Sequence, residues 1–316
     1  IRPFLILTEW GKAWYYVYKE ICMYYLFVVV SSVLTATALA AQKAYHNRAS
    51  GIRPALILLC IDASGAALLL YALSGFAGGF SLTALAIAAA QALLMTSARY
   101  LCTIGGKYGD LLTMSMFLML GATILPFLAG VTIFGEPASA LRITGVILML
   151  VALVLPVVCA RRTTAGKPIF YILCVVLFLI NGLNPILNKV KVVYAPEIPA
   201  ALYQAVAHAC FFLYSAVLLG IDCIRHRPIR PVGAEKPPVG RLAVLAAVYT
   251  VGLCFGDWLV LVSLGGLDVS LQAPMSMGLS MIFTAITGRL VFGEKISRLT
   301  GLSLLLALVG TVLTAF

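Results

Sequence analysis

The chain has 316 residues, of which 62% are hydrophobic and only 10% charged, with 22 Lys+Arg against 11 Asp+Glu. A soluble domain carries roughly a quarter charged residues, so an ordinary soluble protein is excluded, and the hydrophobicity excludes a disordered chain. Eight Cys scattered singly over this length make neither a disulfide framework nor a metal site.

Lipid is the solvent that suits this composition. A bilayer core about 30 Å thick needs about 20 apolar residues per helix, and every backbone polar group must pair inside the segment. Runs such as Ile143 to Val158 lack the alternation of a barrel strand. The expected fold is therefore all-α and integral to the membrane, with ten transmembrane helices arranged as two inverted five-helix repeats.

Residues 1–22 mix Trp10, Trp14, Tyr15, Tyr16 and Tyr18 with Lys12 and Lys19, which suits an interfacial N-terminal segment. The first repeat is expected over 23–160, with spans at 23–43, 53–74, 80–102, 111–133 and 141–160. The second is expected over 169–316, with spans at 169–188, 199–222, 241–264, 268–290 and 299–316. The one long connection, 223–240, is rich in Arg and Pro and reads as a linker.

The net charge of +11 does not point to nucleic acid. The odd-numbered connections, with Lys43 and Arg99 counted at span ends, hold 16 of the 22 Lys+Arg; Arg2, Lys12, Lys19, Arg142, Lys189 and Lys191 make up the other six. By the positive-inside rule this tally puts the odd connections in the cytoplasm and both termini outside, in a multi-pass protein expected in the plasma membrane.

An internal repeat orders the chain. Phe134-Gly135-Glu136 recurs as Phe292-Gly293-Glu294, and at the same offset Asp110 meets Asp268, Ile124 meets Ile282 and Gly130 meets Gly288. Gln42-Lys43 resembles Asn188-Lys189 nearer the start of each half. Five spans per half is odd, so the second copy must enter the membrane from the opposite side, an architecture that lets one pocket open to either face.

Two stretches, ARYLCTIGGKYGDLLTMSMFLMLGATILPFLAGVTIFGEPAS and SLGGLDVSLQAPMSMGLSMIFTAITGRLVFGEKIS, resemble the paired signatures of the EamA-like branch of the drug/metabolite transporter superfamily. Leu187 to Lys191, LNKVK, is slightly similar to an element of the sugar-phosphate and nucleotide-sugar branch. The resemblance covers about residues 23–316. It implies a secondary carrier of small organic metabolites, with no cofactor, working as a monomer or homodimer and driven by the solute gradient, a coupling proton or a counter-solute. It also implies cytoplasmic termini, against the charge tally.

Ionisable groups near the bilayer centre each cost about 2.5–3.5 kcal/mol, so those that remain there are candidates for the solute site. These are Asp62 and Asp257, with Lys43 and Lys189 at the ends of the first and sixth spans. Neutral candidates are Gln91, Asn181, Asn184, Gln204, His208 and Gln272, with Tyr100 and Trp258 to pack on the solute. Plainer roles exist for several: Lys43 and Lys189 can snorkel to the interface, Asn184 can cap carbonyls freed by Pro185, and Gly252 and Gly256 beside Asp257 suit close helix packing. Glu136 and Glu294 are expected to cap the fifth and tenth spans.

Other classes fit less well. Asp62, Asp110 and Asp257 invite comparison with an intramembrane aspartyl protease, but Ile61 precedes Asp62 and the glycines before Asp110 are wrongly spaced. No nucleophile-elbow, zincin or Walker A motif occurs, so no enzymatic activity is expected. A non-transporting receptor or scaffold would not need matched halves.

Overall fold

The computed structural model describes residues 2–49, 51–105, 108, 111–159, 168–225, 239–293 and 298–315. Ten α-helices and no strands occur among them: α1 Arg2–His46, α2 Ile52–Leu73, α3 Leu82–Gly105, α4 Leu111–Thr132, α5 Ala140–Cys159, α6 Pro168–Tyr194, α7 Ala200–Arg225, α8 Val239–Ser263, α9 Val269–Phe292 and α10 Arg298–Thr314. Eight are long and apolar enough to span a bilayer, while the apolar parts of α5 and α10, counterparts in the two halves, are shorter. The 45-residue α1 is roughly 68 Å long at 1.5 Å per residue, far more than a bilayer core needs. Its Cys22–His46 part has the length and hydropathy to cross, and the backbone of residues 2–22 continues it without a break. Most of the linker 223–240, along with Asp110 and Glu294, lies outside the described residues.

The repeat is visible in which helices touch. Helix α1 packs on α8 and α9, and its counterpart α6 packs on α3 and α4. The α3–α7 pair is matched by α2–α8, and α4–α5 by α9–α10. The pairs α2–α7, α4–α9 and α5–α10 are their own counterparts, so the pseudo-two-fold axis passes between them. With five helices per half, this exchange inverts one half relative to the other.

Small residues set these crossings, because lipid tails offer helices no hydrophobic drive to associate and close van der Waals contact must do it. A Cβ added at Gly121 would strike the Phe178 carbonyl, and one at Gly182 would come 2.5 Å from the Gly121 carbonyl, so α4 and α6 touch backbone to backbone. Gly145 and Gly310 do the same for α5 and α10. Gly252 and Gly256 let α8 lie on Leu34, Thr35 and Ala38 of α1, the close packing expected of them.

Two sequence boundaries need correction. Helix α6 runs to Tyr194, six residues past the expected end at 188, because its last charges are satisfied within the protein: Lys189 pairs with Glu136 at 2.9 Å and Lys191 Nζ donates to the Ile198 carbonyl at 2.6 Å. Arg99 is no connection residue; it lies inside α3, which continues to Gly105.

Candidate functional site

The polar residues of the interior fall into two groups. The deeper one centres on Asp62, midway along α2 and fully buried. A carboxylate there needs a counter-ion, and Arg99 of α3 supplies it: Nη1 donates to Asp62 Oδ2 at 2.8 Å and to the Tyr249 hydroxyl of α8 at 2.6 Å. The guanidinium carbon lies 5.0 Å from the centre of the Phe211 ring and 5.8 Å from that of Tyr249. This sheath of α7 and α8 aromatics holds the cation in place.

A cavity of about 200 Å³ opens beside this pair. Its polar lining is Arg99 from α3, Asn181 and Asn184 from α6, and Asp257 from α8, against apolar walls that include Leu94, Met95 and Ile180. It therefore lies between the two halves. Pro185 has no N–H to give the carbonyl four residues back, so the α6 backbone loses a hydrogen bond at Asn181. The Asn181 side chain donates from Nδ2 to the Leu118 carbonyl of α4 at 2.9 Å. Asn184 Oδ1 and Asp257 Oδ2 are buried acceptors with no hydrogen-bond partner. Behind them His208 Nδ1 lies 2.9 Å from the Gln204 carbonyl, which can only accept, so Nδ1 carries a proton. His208 Nε2 and Gln204 Nε2 are unpartnered.

The second group closes one face of the bundle, the face of the α2–α3, α4–α5, α6–α7 and α8–α9 connections, called here the even face. The FGE turn ends α4 with Gly135 at φ 67°, and its repeat ends α9 with Gly293 at φ 65°, left-handed positions that glycine takes without strain. The first turn aims Glu136 across the molecule rather than into its own helix. Glu136 Oε1 accepts from Val269 N–H at 2.9 Å and Oε2 from Ser270 N–H at 2.8 Å, so it caps α9 of the other half, correcting the expectation that it caps α5. Asp268, at the N-cap position of α9, makes no side-chain capping bond and pairs instead with Arg142 at 2.9 Å. Lys189 completes the clamp on Glu136. Burial alone would push the Glu136 carboxyl up, but the two amides and the Lys189 ammonium outweigh it and hold the group below the ordinary carboxylate range.

The expected site residues divide accordingly. Asp257 and Asn184 line the cavity, and Asp62 and His208 lie next to it within electrostatic reach of Asp257. Gln91 is tied up elsewhere, donating to Asn188 Oδ1 at 2.9 Å and accepting from the Tyr203 hydroxyl at 2.6 Å. Gln272 donates to Ser263 Oγ at 3.3 Å near the start of α9. Lys189 sits in the even-face clamp, and Lys43 lies over the Phe292 ring at 4.8 Å. Tyr100 packs on the cluster around Leu56 and Phe211, and Trp258 on that around Ala66 and Leu70; neither lines the cavity. Asn181, also expected, lines the cavity; the lining residue missing from the sequence reading is Arg99, with Tyr249 supporting it. A lone Asp at the centre of a span requires a cation, and Arg99 was the basic residue set deepest beside a span interior; that signal could have found it.

With this geometry in view, the comparisons with known proteins bear on the second half of the chain. Residues 168–316 match the model of the EamA-like transporter family. The second half of the chain is an EamA-like transporter domain. No curated protein matches the chain. A solved structure described only as "Crystal structure of protein" superposes with a TM-score of 0.68 at 16% identity, over 92% of this chain and 97% of that one, a likeness of fold alone. The EamA-like assignment implies secondary transport of a small-molecule solute by a multi-pass integral membrane protein, in a family that is generally not enzymatic.

Proposed function

We propose that this EamA-like protein is a secondary carrier that works by alternating access, with the cavity between α3, α6 and α8 as its solute site. The observation that carries the reading is the position of that cavity. It lies between the inverted halves, it offers unpartnered acceptors at Asn184 and Asp257, and the even-face clamp at Glu136 is made wholly of contacts between the halves. Rocking one half against the other would break that clamp and move the cavity's access from one face to the other.

The test is counterflow in reconstituted vesicles, using radiolabelled amino acids, sugars, nucleotide sugars and phosphorylated metabolites. The proposal expects saturable exchange of one class, strongly reduced by Asp257→Asn and by Asn184→Ala at equal protein per vesicle. Exchange unchanged in both variants would remove the site assignment, and no exchange of any class would count against the carrier reading.

A further inference from the structure

Building on the carrier reading, we infer that the cavity takes a small organic monocation with N–H donors, a protonated amine, with Asp257 as its counter-ion and the Asn184 amide oxygen as its second acceptor.

Two acidic side chains, Asp62 and Asp257, share the neighbourhood of one guanidinium, Arg99. Arg99 is committed to Asp62, with which it forms a 2.8 Å ion pair, and to the Tyr249 hydroxyl. The lysines further along α6 are committed as well, Lys189 to Glu136 and Lys191 to the Ile198 carbonyl. That leaves Asp257, which forms no ion pair among the described residues.

The hydrogen-bonding inventory points the same way. The unpartnered atoms of the cavity lining, Asn184 Oδ1 and Asp257 Oδ2, are both acceptors. An ammonium group is donor-only and cationic, so its chemistry matches both acceptors. A carboxylate or phosphate would face Asp257 with like charge and leave both acceptors unmet, while a neutral hydroxyl could serve one of them without offsetting the charge. The walls of Leu94, Met95 and Ile180 suit an apolar body attached to the amine.

The experiment compares three probes of one shape in thermal unfolding of the purified full chain at matched ionic strength: 2-phenylethylamine, 2-phenylethanol and phenylacetate. The amine is expected to raise the midpoint saturably, as a ligand of the folded state does, while the alcohol and the acid do not. Asp257→Asn should weaken the amine's apparent affinity at least about tenfold. If that variant does not unfold cooperatively, Asn184→Leu serves in its place with a smaller loss in the same direction. A shift from phenylacetate or phenylethanol equal to the amine's, no shift from the amine, or an amine affinity untouched by both variants would overturn the inference. Vesicle flux separates it from the carrier reading. Amine binding without amine movement would refute transport and leave the binding class standing; exchange of an anionic solute that the amine does not compete for would keep the carrier and remove this class.

Discussion

Replacing Glu136 tests whether one carboxylate fastens the two halves together at the even face. Glu136→Ala leaves two N–H donors at the start of α9 without their cap and Lys189 without its partner. Hydrogen bonds to a charged group contribute about 1.5–3 kcal/mol each, and stripping one partner from a buried pair costs about 3–5 kcal/mol. These effects overlap, so the expected loss is about 3–5 kcal/mol for Ala. Glu136→Gln keeps one acceptor oxygen and should lose about half as much. Reversible unfolding by SDS titration in mixed micelles measures both. The pH dependence gives a second handle. Because the folded-state carboxyl is held below its ordinary value of 4.5, its contribution is fully present above that value and is lost as pH falls through the depressed one. The gap between wild type and Glu136→Gln should then be flat above about pH 5 and shrink only in acid. A loss under about 1 kcal/mol for Ala, or a gap that shrinks between pH 5 and 8, would refute the clamp.

Two further expectations concern stability and are read by the same titration. Gly121→Ala should destabilise by about 1–3 kcal/mol, because its Cβ would meet the Phe178 backbone. By contrast, Gly220→Ala in α7, where a Cβ meets nothing within 4 Å, should stabilise by about 0.5–1 kcal/mol; equal effects at the two sites would sink the close-packing account. Arg99→Ala should cost about 3–5 kcal/mol by leaving the fully buried Asp62 unpaired, and adding Asp62→Ala should recover much of that loss. A double variant no more stable than Arg99→Ala alone would mean that the pair is not coupled.

The helices were legible because lipid imposes a simple rule: an apolar run of sufficient length becomes a helix, and charges mark its ends. That rule failed where a charge has a partner inside the protein. Lys189 and Lys191 suggested an end to α6, yet Glu136 and the Ile198 carbonyl let the helix carry both to Tyr194. Arg99 was assigned to a span end for the same reason, and its ion pair with Asp62, 37 residues away, has no local signature. The FGE repeat announced two matched turns but not their direction. Glu136 reaches an α9 amide 133 residues on because the α4–α9 crossing brings that helix start against the turn, a contact set by tertiary packing rather than by local spacing. Asp257 and Asn184 stood out as polar residues in apolar runs. So did Gln91, whose partners Asn188 and Tyr203 come from other helices, and sequence alone does not separate a satisfied amide from an open one.

The central claim is that one cavity between inverted halves opens to each face in turn. It is tested most directly by Asn184→Cys in a background with the native cysteines replaced, reconstituted in one orientation and exposed to a membrane-impermeant thiol reagent from each side separately. The account predicts labelling from both faces, with even-face labelling increased by Glu136→Gln. Labelling confined to one face, with and without the Glu136 substitution, would contradict alternating access and leave only a one-sided vestibule.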